Sequence, residues 1–306
     1  MSESVKNEPC GVLVVNKHKG VTSHDIVNKI RRLYGTRRVG HTGTLDPLAT
    51  GVLVVLVGRA AKASEYLVCD SKKYRAAMRL GLTSDSEDVT GNILTTSEDI
   101  PAADEVEAAC AKFVGNIKQI PPMYSALKVG GKKLVDLARE GKTIERQARD
   151  ITIHSLGVLA TDTETDYILD VNCSSGTYIR TLCADIGTSL GCGAVMAELE
   201  RREAGGFDIE NSHTVEELES MMPEEREALL IPTEQLFATL REARLEGFYE
   251  KLSRNGCEIY QKKIKTHFEV GERVRMLTAS GEFYALGEVR EYENGTAIKA
   301  IKLFDI

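Results

Sequence analysis

A loop that empties into a strand constrains this chain more than any other stretch. Residues 52–57 read VLVVLV, an unbroken aliphatic run with the composition and length of a buried strand. The residues immediately before it, 40–51, read GHTGTLDPLATG. Gly40, Gly43 and Gly51 let the backbone turn or approach another group closely. Pro47 biases Asp46 away from helical angles and towards an extended backbone. A lone carboxylate therefore sits on a constrained loop that runs into the core, with His41 five positions upstream. On these residues alone two readings stay open: Asp46 is a reactive group, or it caps backbone amides in a turn.

The remaining pattern is mixed. Residues 11–17 and 74–80 read as strands. Thr22 and Asp25 form a capping-box pattern, followed by Ile26, Val27, Ile30, Leu33 and Tyr34 at helical spacing until Gly35. Asp85 to Asn92 is polar and reads as a loop. Pro101 to Val114 has helical periodicity, with Val106, Ala109, Cys110 and Phe113 on one face. Ile151 to Leu159 and Tyr167 to Cys173 read as adjacent strands, and Thr177 to Leu190 as a helix ending at Gly191. Hairpin-like pairs among isolated helices indicate an α+β fold. Thr214 to Arg244 is acidic and helical in pattern. After about Phe248 short alternating runs appear, separated by Ser280-Gly281 and Asn294-Gly295, and these read as a small β domain. The expected units are 9–240 and 248–306.

Of the 306 residues, 42% are hydrophobic and 28% charged, which is ordinary for a globular protein. The N-terminus has no apolar signal region, and no run approaches a membrane span, so no membrane association is expected. Seven cysteines are scattered without a Cys-x-x-Cys pair, signalling neither a disulfide framework nor a zinc site. They are expected to be small buried hydrophobes in a reducing cytoplasm. The net charge of −7 does not suggest nucleic acid, but its distribution does. Basic residues gather between Lys17 and Arg38, again at Lys72, Lys73, Arg75 and Arg79, and again at Lys128, Lys132, Lys133, Arg139 and Lys142. The acids concentrate elsewhere, as in Glu216 to Glu227. Such groups are either solvated faces or the footprint of a phosphate backbone.

Several motifs in order resemble the TruB family of tRNA pseudouridine synthases. They are Gly11–Lys17 with Lys19–Ser23, the loop around Asp46, Lys72-Lys73-Tyr74, Gln119–Lys128 with Gly130–Gly141, Ser174–Arg180, and Leu199–Phe207. The basic groups flank three of them, which favours RNA as the partner. The resemblance implies a pseudouridine-synthase fold with a mixed, mostly antiparallel sheet and the cleft across it. The β-rich end resembles a PUA-like RNA-binding domain. The implied reaction is isomerisation of uridine to pseudouridine at position 55, in the T loop of tRNA, in the cytoplasm. No metal, no organic cofactor and no obligate protein partner is implied.

The resemblance also assigns roles. Asp46 is the catalytic carboxylate, and Arg180 keeps it ionised and oriented. Tyr74 stacks on the uracil, His41 occupies the gap left in the RNA stack, and Leu199 lines the uracil pocket. Lys17 and Lys19 contact phosphate or brace the catalytic loop. Read as plain residues, Arg180 is equally a phosphate contact or a core ion pair, and Tyr74 a core aromatic. Two other functions compete: a guide-RNA-dependent synthase of the related Cbf5/dyskerin group, and a non-catalytic RNA-binding protein or tRNA chaperone. A carboxylate glycoside hydrolase normally needs two placed acids, and the loop offers one. A chain ended near Gly247 is expected to fold and keep its chemistry.

Overall fold

The computed structural model describes residues 8–67 and 71–304. Nine strands form the main sheet. Its path runs Gly11–Lys17, Thr50–Val57, Ala194–Ala204, Ser71–Leu80, Asp166–Ser174, Arg149–Ala160, Gly115–Gln119. Two short strands, Val39–His41 and Phe207–Asp208, pair at its side. All neighbours are antiparallel except one pairing, where Glu200 and Arg201 run parallel to Thr50 and Gly51. The mixed, mostly antiparallel sheet is as expected, and that single parallel pairing lies beside the Asp46 loop.

Burial explains why residues 52–57 show no alternation. Leu53, Val55 and Val57 join the core under the helices, together with Leu13 and Val15 of the neighbouring strand. Val52, Val54 and Leu56 join a second core on the opposite face, with Val12 and Val14. A strand covered on both sides reads as a continuous apolar run. Helix Ser23–Leu33 covers the first face with Ile26, Val27 and Ile30, and its capping box at Thr22 and Asp25 is formed as expected. Helix Ile179–Leu190 lies on the same core and ends at Gly191, whose φ of 81° is the left-handed cap that suits glycine.

The central strand Ser71–Leu80 alternates. Tyr74, Ala76, Met78 and Leu80 are buried. On the other side Arg75 and Arg79 form two-pronged pairs with Asp170 and Asp166 of the next strand, at 2.8–2.9 Å. Lys73 pairs with Glu203. This corrects the second basic group: three of its four cations are matched to acids across the sheet rather than presented to phosphate.

The segment 214–244 also departs from its helical pattern. It holds short helices at Val215–Ser220 and Pro223–Ala228, a 3-10 turn at Thr233–Phe237, and a strand at Arg241–Arg244. Pro223 starts a new helix and Pro232 prevents its continuation. The strand Arg241–Arg244 runs parallel to Arg273–Leu277, so it belongs to a second sheet of five strands. The segment between 240 and 248 thus carries a strand of the C-terminal unit. No helix among the described residues is long and apolar enough to cross a membrane. Among those residues six cysteines are free thiols, and Cys69 lies outside them.

The two sheets share a core. Phe237, Leu286 and Phe304 pack with Val12, Val14, Val52, Val54 and Leu56, and Phe237 lies 5.7 Å from Phe304 between ring centres. Ending the chain at Gly247 removes Leu286 and Phe304 from that face and leaves Arg241–Arg244 without its partner strand. The expectation of an independent catalytic unit is therefore revised. The truncated chain is predicted to aggregate, or to melt well below the full chain, when scattering and circular dichroism are followed on heating. A truncation as stable and monomeric as the whole protein would show the shared core to be dispensable.

Candidate active site

The loop carrying Asp46 is pinned on both sides. Ser23 is buried at the start of its helix, and its hydroxyl accepts from the Leu45 amide at 2.8 Å and donates to the Leu45 carbonyl at 3.1 Å. The Gly20 amide donates to the Pro47 carbonyl at 2.7 Å, and the Ala49 amide to that of Asp46 at 3.1 Å. Asp46 keeps 37% of its side chain exposed, and its Oδ2 lies 2.9 Å from Nε of Arg180.

Arg180 is only 5% exposed and is used on every edge. Beyond Asp46, Nη1 donates to the Ser86 carbonyl at 2.9 Å and Nη2 to the Tyr124 carbonyl at 2.8 Å. A planar guanidinium held at three points leaves its carboxylate partner little freedom to swing. A second carboxylate stands behind it. Asp88 Oδ2 is 4.0 Å from the same Nε. Its Oδ1 accepts from the Ser86 hydroxyl and from the Thr90 amide and hydroxyl, at 2.6–2.9 Å. Glu87 between them has φ of 63°, unusual for a side-chain-bearing residue. Burial pushes the Glu87 carboxyl up, while it accepts from the Thr181 hydroxyl at 2.5 Å. Sequence reading places Asp88 in a polar loop and misses it, because only the fold brings it to Arg180.

A cleft of about 300 Å³ opens in front of Asp46 and Arg180, lined also by Tyr74, Leu199, Tyr178 and Lys72. Of the seven expected site residues the structure gathers four here: Asp46, Tyr74, Arg180 and Leu199. Burial pushes the Tyr74 hydroxyl up, so the ring stays neutral and presents an uncharged aromatic surface. His41 stands at the other end of the loop, on Val39–His41, half-buried and outside the cleft lining. Burial, reinforced by the Arg201 cation, pulls its pKa down, and its Nδ1 is buried without a partner. Lys19 is exposed.

Lys17 corrects one expectation. It is 0% exposed, so it does not reach a phosphate. Its ammonium instead donates to the carbonyls of His18 and Val21, at 3.0 and 2.9 Å, and so braces the turn whose Gly20 amide meets Pro47 of the Asp46 loop. Arg201, unassigned from sequence, is also buried, and donates to the carbonyls of Val52, Gly43 and Thr44 at 2.7, 3.0 and 3.4 Å.

Burial pulls Lys17 down to about 8, opposed by Asp46 and aided by Arg201. Below pH 8 the lysine is charged in the folded and unfolded chains alike, and the cost of burying it counts in full. Between about 8 and its ordinary 10.5 the folded protein has released the proton and the unfolded chain has not, so stability rises with pH. Lys17→Met lacks this contribution. Its stability relative to the parent is predicted to fall by about 2 kcal/mol from pH 7 to pH 9.5 in urea unfolding. A difference that does not change with pH would show that Lys17 titrates normally.

Comparisons with known proteins identify the family. Residues 31–179 match the model of the TruB family pseudouridylate synthase N-terminal domain, and residues 180–238 that of the tRNA pseudouridylate synthase B C-terminal domain. The chain is 42% identical over 296 residues to tRNA pseudouridine synthase B of Alkaliphilus oremlandii (strain OhILAs), covering 96% of this chain and 98% of that protein. It is 38% identical over 295 residues to the protein of that name from Neisseria meningitidis serogroup A, covering 96% and 94%. Among solved structures it is similar to a Cbf5-Nop10-Gar1 complex, with a TM-score of 0.73 and 26% identity over 96% of this chain and 84% of that one. An H/ACA RNP bound to a substrate RNA has the same fold, with a TM-score of 0.71 and 23% identity over 97% and 85%. Relatives this similar over nearly the whole length, together with the two matching domains, show that the chain belongs to the TruB family of pseudouridylate synthases.

Proposed function

We propose that this protein isomerises uridine to pseudouridine at position 55 in the T loop of tRNA, with Asp46 as the reacting carboxylate. The observation that carries the reading is one half-exposed carboxylate, fixed by a buried guanidinium, at a cleft walled by an aromatic ring and a leucine. The reaction breaks the N1–C1′ bond, turns the base, joins C5 to C1′, and is completed when C5 gives up its proton and N1 takes one up. Its atoms balance without a second substrate and without any change of oxidation state. What it requires is a carboxylate acting on sugar or base, as nucleophile or as base, and walls that retain the detached uracil. Asp46 supplies the first. Tyr74 and Leu199 supply the second, by stacking and apolar contact. The target base must leave its stack to enter, which costs a few kcal/mol.

Relatives of nearly equal length named tRNA pseudouridine synthase B support tRNA as the substrate, and we place the reaction in the cytoplasm. The same lengths favour a stand-alone enzyme over a guide-RNA-dependent one. The exposed hairpin Lys128–Lys133 adjoins Ala126 and Leu127 of the cleft wall, where phosphates of a bound RNA would meet Lys128, Lys132 and Lys133. We assign the chemistry to the unit 9–240 and an accessory RNA contact to the β-rich C-terminal unit.

Asp46→Asn keeps the side-chain volume and removes the ionisable group. Pseudouridine formation in purified tRNA, per folded molecule, is predicted to fall by at least about 1,000-fold with tRNA affinity nearly unchanged, and the melting temperature to drop because Arg180 loses its charged partner. Substantial turnover by that variant would remove Asp46 from the chemistry. Changing Lys128, Lys132 and Lys133 together to Gln is predicted to weaken tRNA binding. The slope of log affinity against log salt should flatten by roughly 0.7 to 0.9 for each phosphate that is no longer neutralised. An unchanged slope would place the RNA backbone on another surface.

A further inference from the structure

The Leu199–Phe207 motif contains one buried charged residue to which the reading above gives no part in the reaction. Arg201 is 1% exposed, the largest of the fully buried side chains. Its backbone lies in register with two strands at once, antiparallel to Tyr74 and parallel to Gly51. The approach to Gly51 is so close that a Cβ there would lie 2.2 Å from the Arg201 carbonyl oxygen, and Gly51 has φ of +95°. A register shift between Arg201 and Glu203 marks a bulge next to it, a device that re-aims side chains.

The guanidinium spans the Asp46 loop. It donates to Gly43 and Thr44, just before Asp46, and to Val52, just after it. The strand register sets Arg201 directly opposite Tyr74, and its cation opposes the burial that raises the Tyr74 hydroxyl. Its hydrogen-bond partners are backbone carbonyls, and among the described residues no carboxylate pairs with it to offset its desolvation. An apolar residue is the easier way to fill such a space. What the arginine adds is reach in several directions from one rigid plane.

We propose that Arg201 is a positioning residue that fixes the Asp46 loop and the Tyr74 ring relative to each other, so that carboxylate and stacking surface address the same nucleotide. The inference rests on the reading of Asp46 and Tyr74 given above. It makes Arg201 matter for the rate on bound tRNA and not for binding.

The test is single-turnover pseudouridine formation on unmodified tRNA at saturating full-length protein, for the parent, Arg201→Lys and Arg201→Met. The rate constant is expected to fall about tenfold with Lys and about 100-fold with Met, while the tRNA Kd stays within about threefold. The reaction amplitude should track the folded fraction. A reduced amplitude at an unchanged rate constant would make Arg201 a core-building residue and overturn the assignment, as would failure of both variants to fold. Tyr74→Phe is then added to the parent and to Arg201→Lys. A smaller effect in the Arg201→Lys background supports the link between the two residues, and equal effects overturn it. Parent protein that leaves tRNA unmodified counts against the proposed function. Parent turnover with variants equally fast counts against Arg201 alone.

Discussion

The guanidinium of Arg180 joins three stretches of chain that lie far apart in sequence. It holds the Asp46 carboxylate, the Ser86 carbonyl and the Tyr124 carbonyl, with Asp88 at the edge of reach. The Asp46 loop and the segment after Tyr124 line the cleft and the turn at Ser86 backs it, so a single buried cation sets how these stretches meet. Breaking any one of these bonds leaves a charge with little solvent access, and that is strongly unfavourable. The arrangement therefore behaves as a unit: the loop, the polar turn at 85–92 and the segment near Tyr124 are right together or not at all.

A second layer of cations lies beneath. Lys17 and Arg201 are both buried; Arg201 spends its donors on carbonyls at the two ends of the Asp46 loop, and Lys17 on those of His18 and Val21 in the neighbouring turn. Their charges cost the fold stability at neutral pH. In return Arg201 holds the loop from below with several donors, while Ser23 and Gly20 hold it from the helix side. Asp46 stays half-exposed on a backbone that is tied on every side. Preorganisation of this kind places a reacting group without reordering at the moment of reaction.

How much of this is legible in the sequence depends on how local each cause is. The strand 52–57, the capping box at Thr22 and the glycine stop at Gly191 follow from composition and short-range pattern. The closeness of Asp46, Tyr74, Arg180 and Leu199 does not; it follows from the motif resemblance and is realised only by the crossing of four segments. Asp88 is invisible because a polar loop has no period and its partner is 92 residues away in the chain. Arg201 is hidden among Glu200, Arg202 and Glu203, a charged run that reads as solvated, although strand alternation puts it on the buried face with Leu199. Arg75 and Arg79 look like a phosphate-facing group because their acids lie on a strand about 90 residues later. The strand Arg241–Arg244 is four residues long, too short for alternation to announce it.

The dependence of the site on the Arg180 fork is most directly measured with Arg180→Lys, which keeps the charge and loses the planar three-point hold. Single-turnover pseudouridine formation at saturating protein isolates the reacting geometry from binding. The rate constant is predicted to fall by at least about 100-fold, with tRNA affinity nearly unchanged. A rate within about threefold of the parent would mean that charge alone suffices, and would contradict a site organised by that fork.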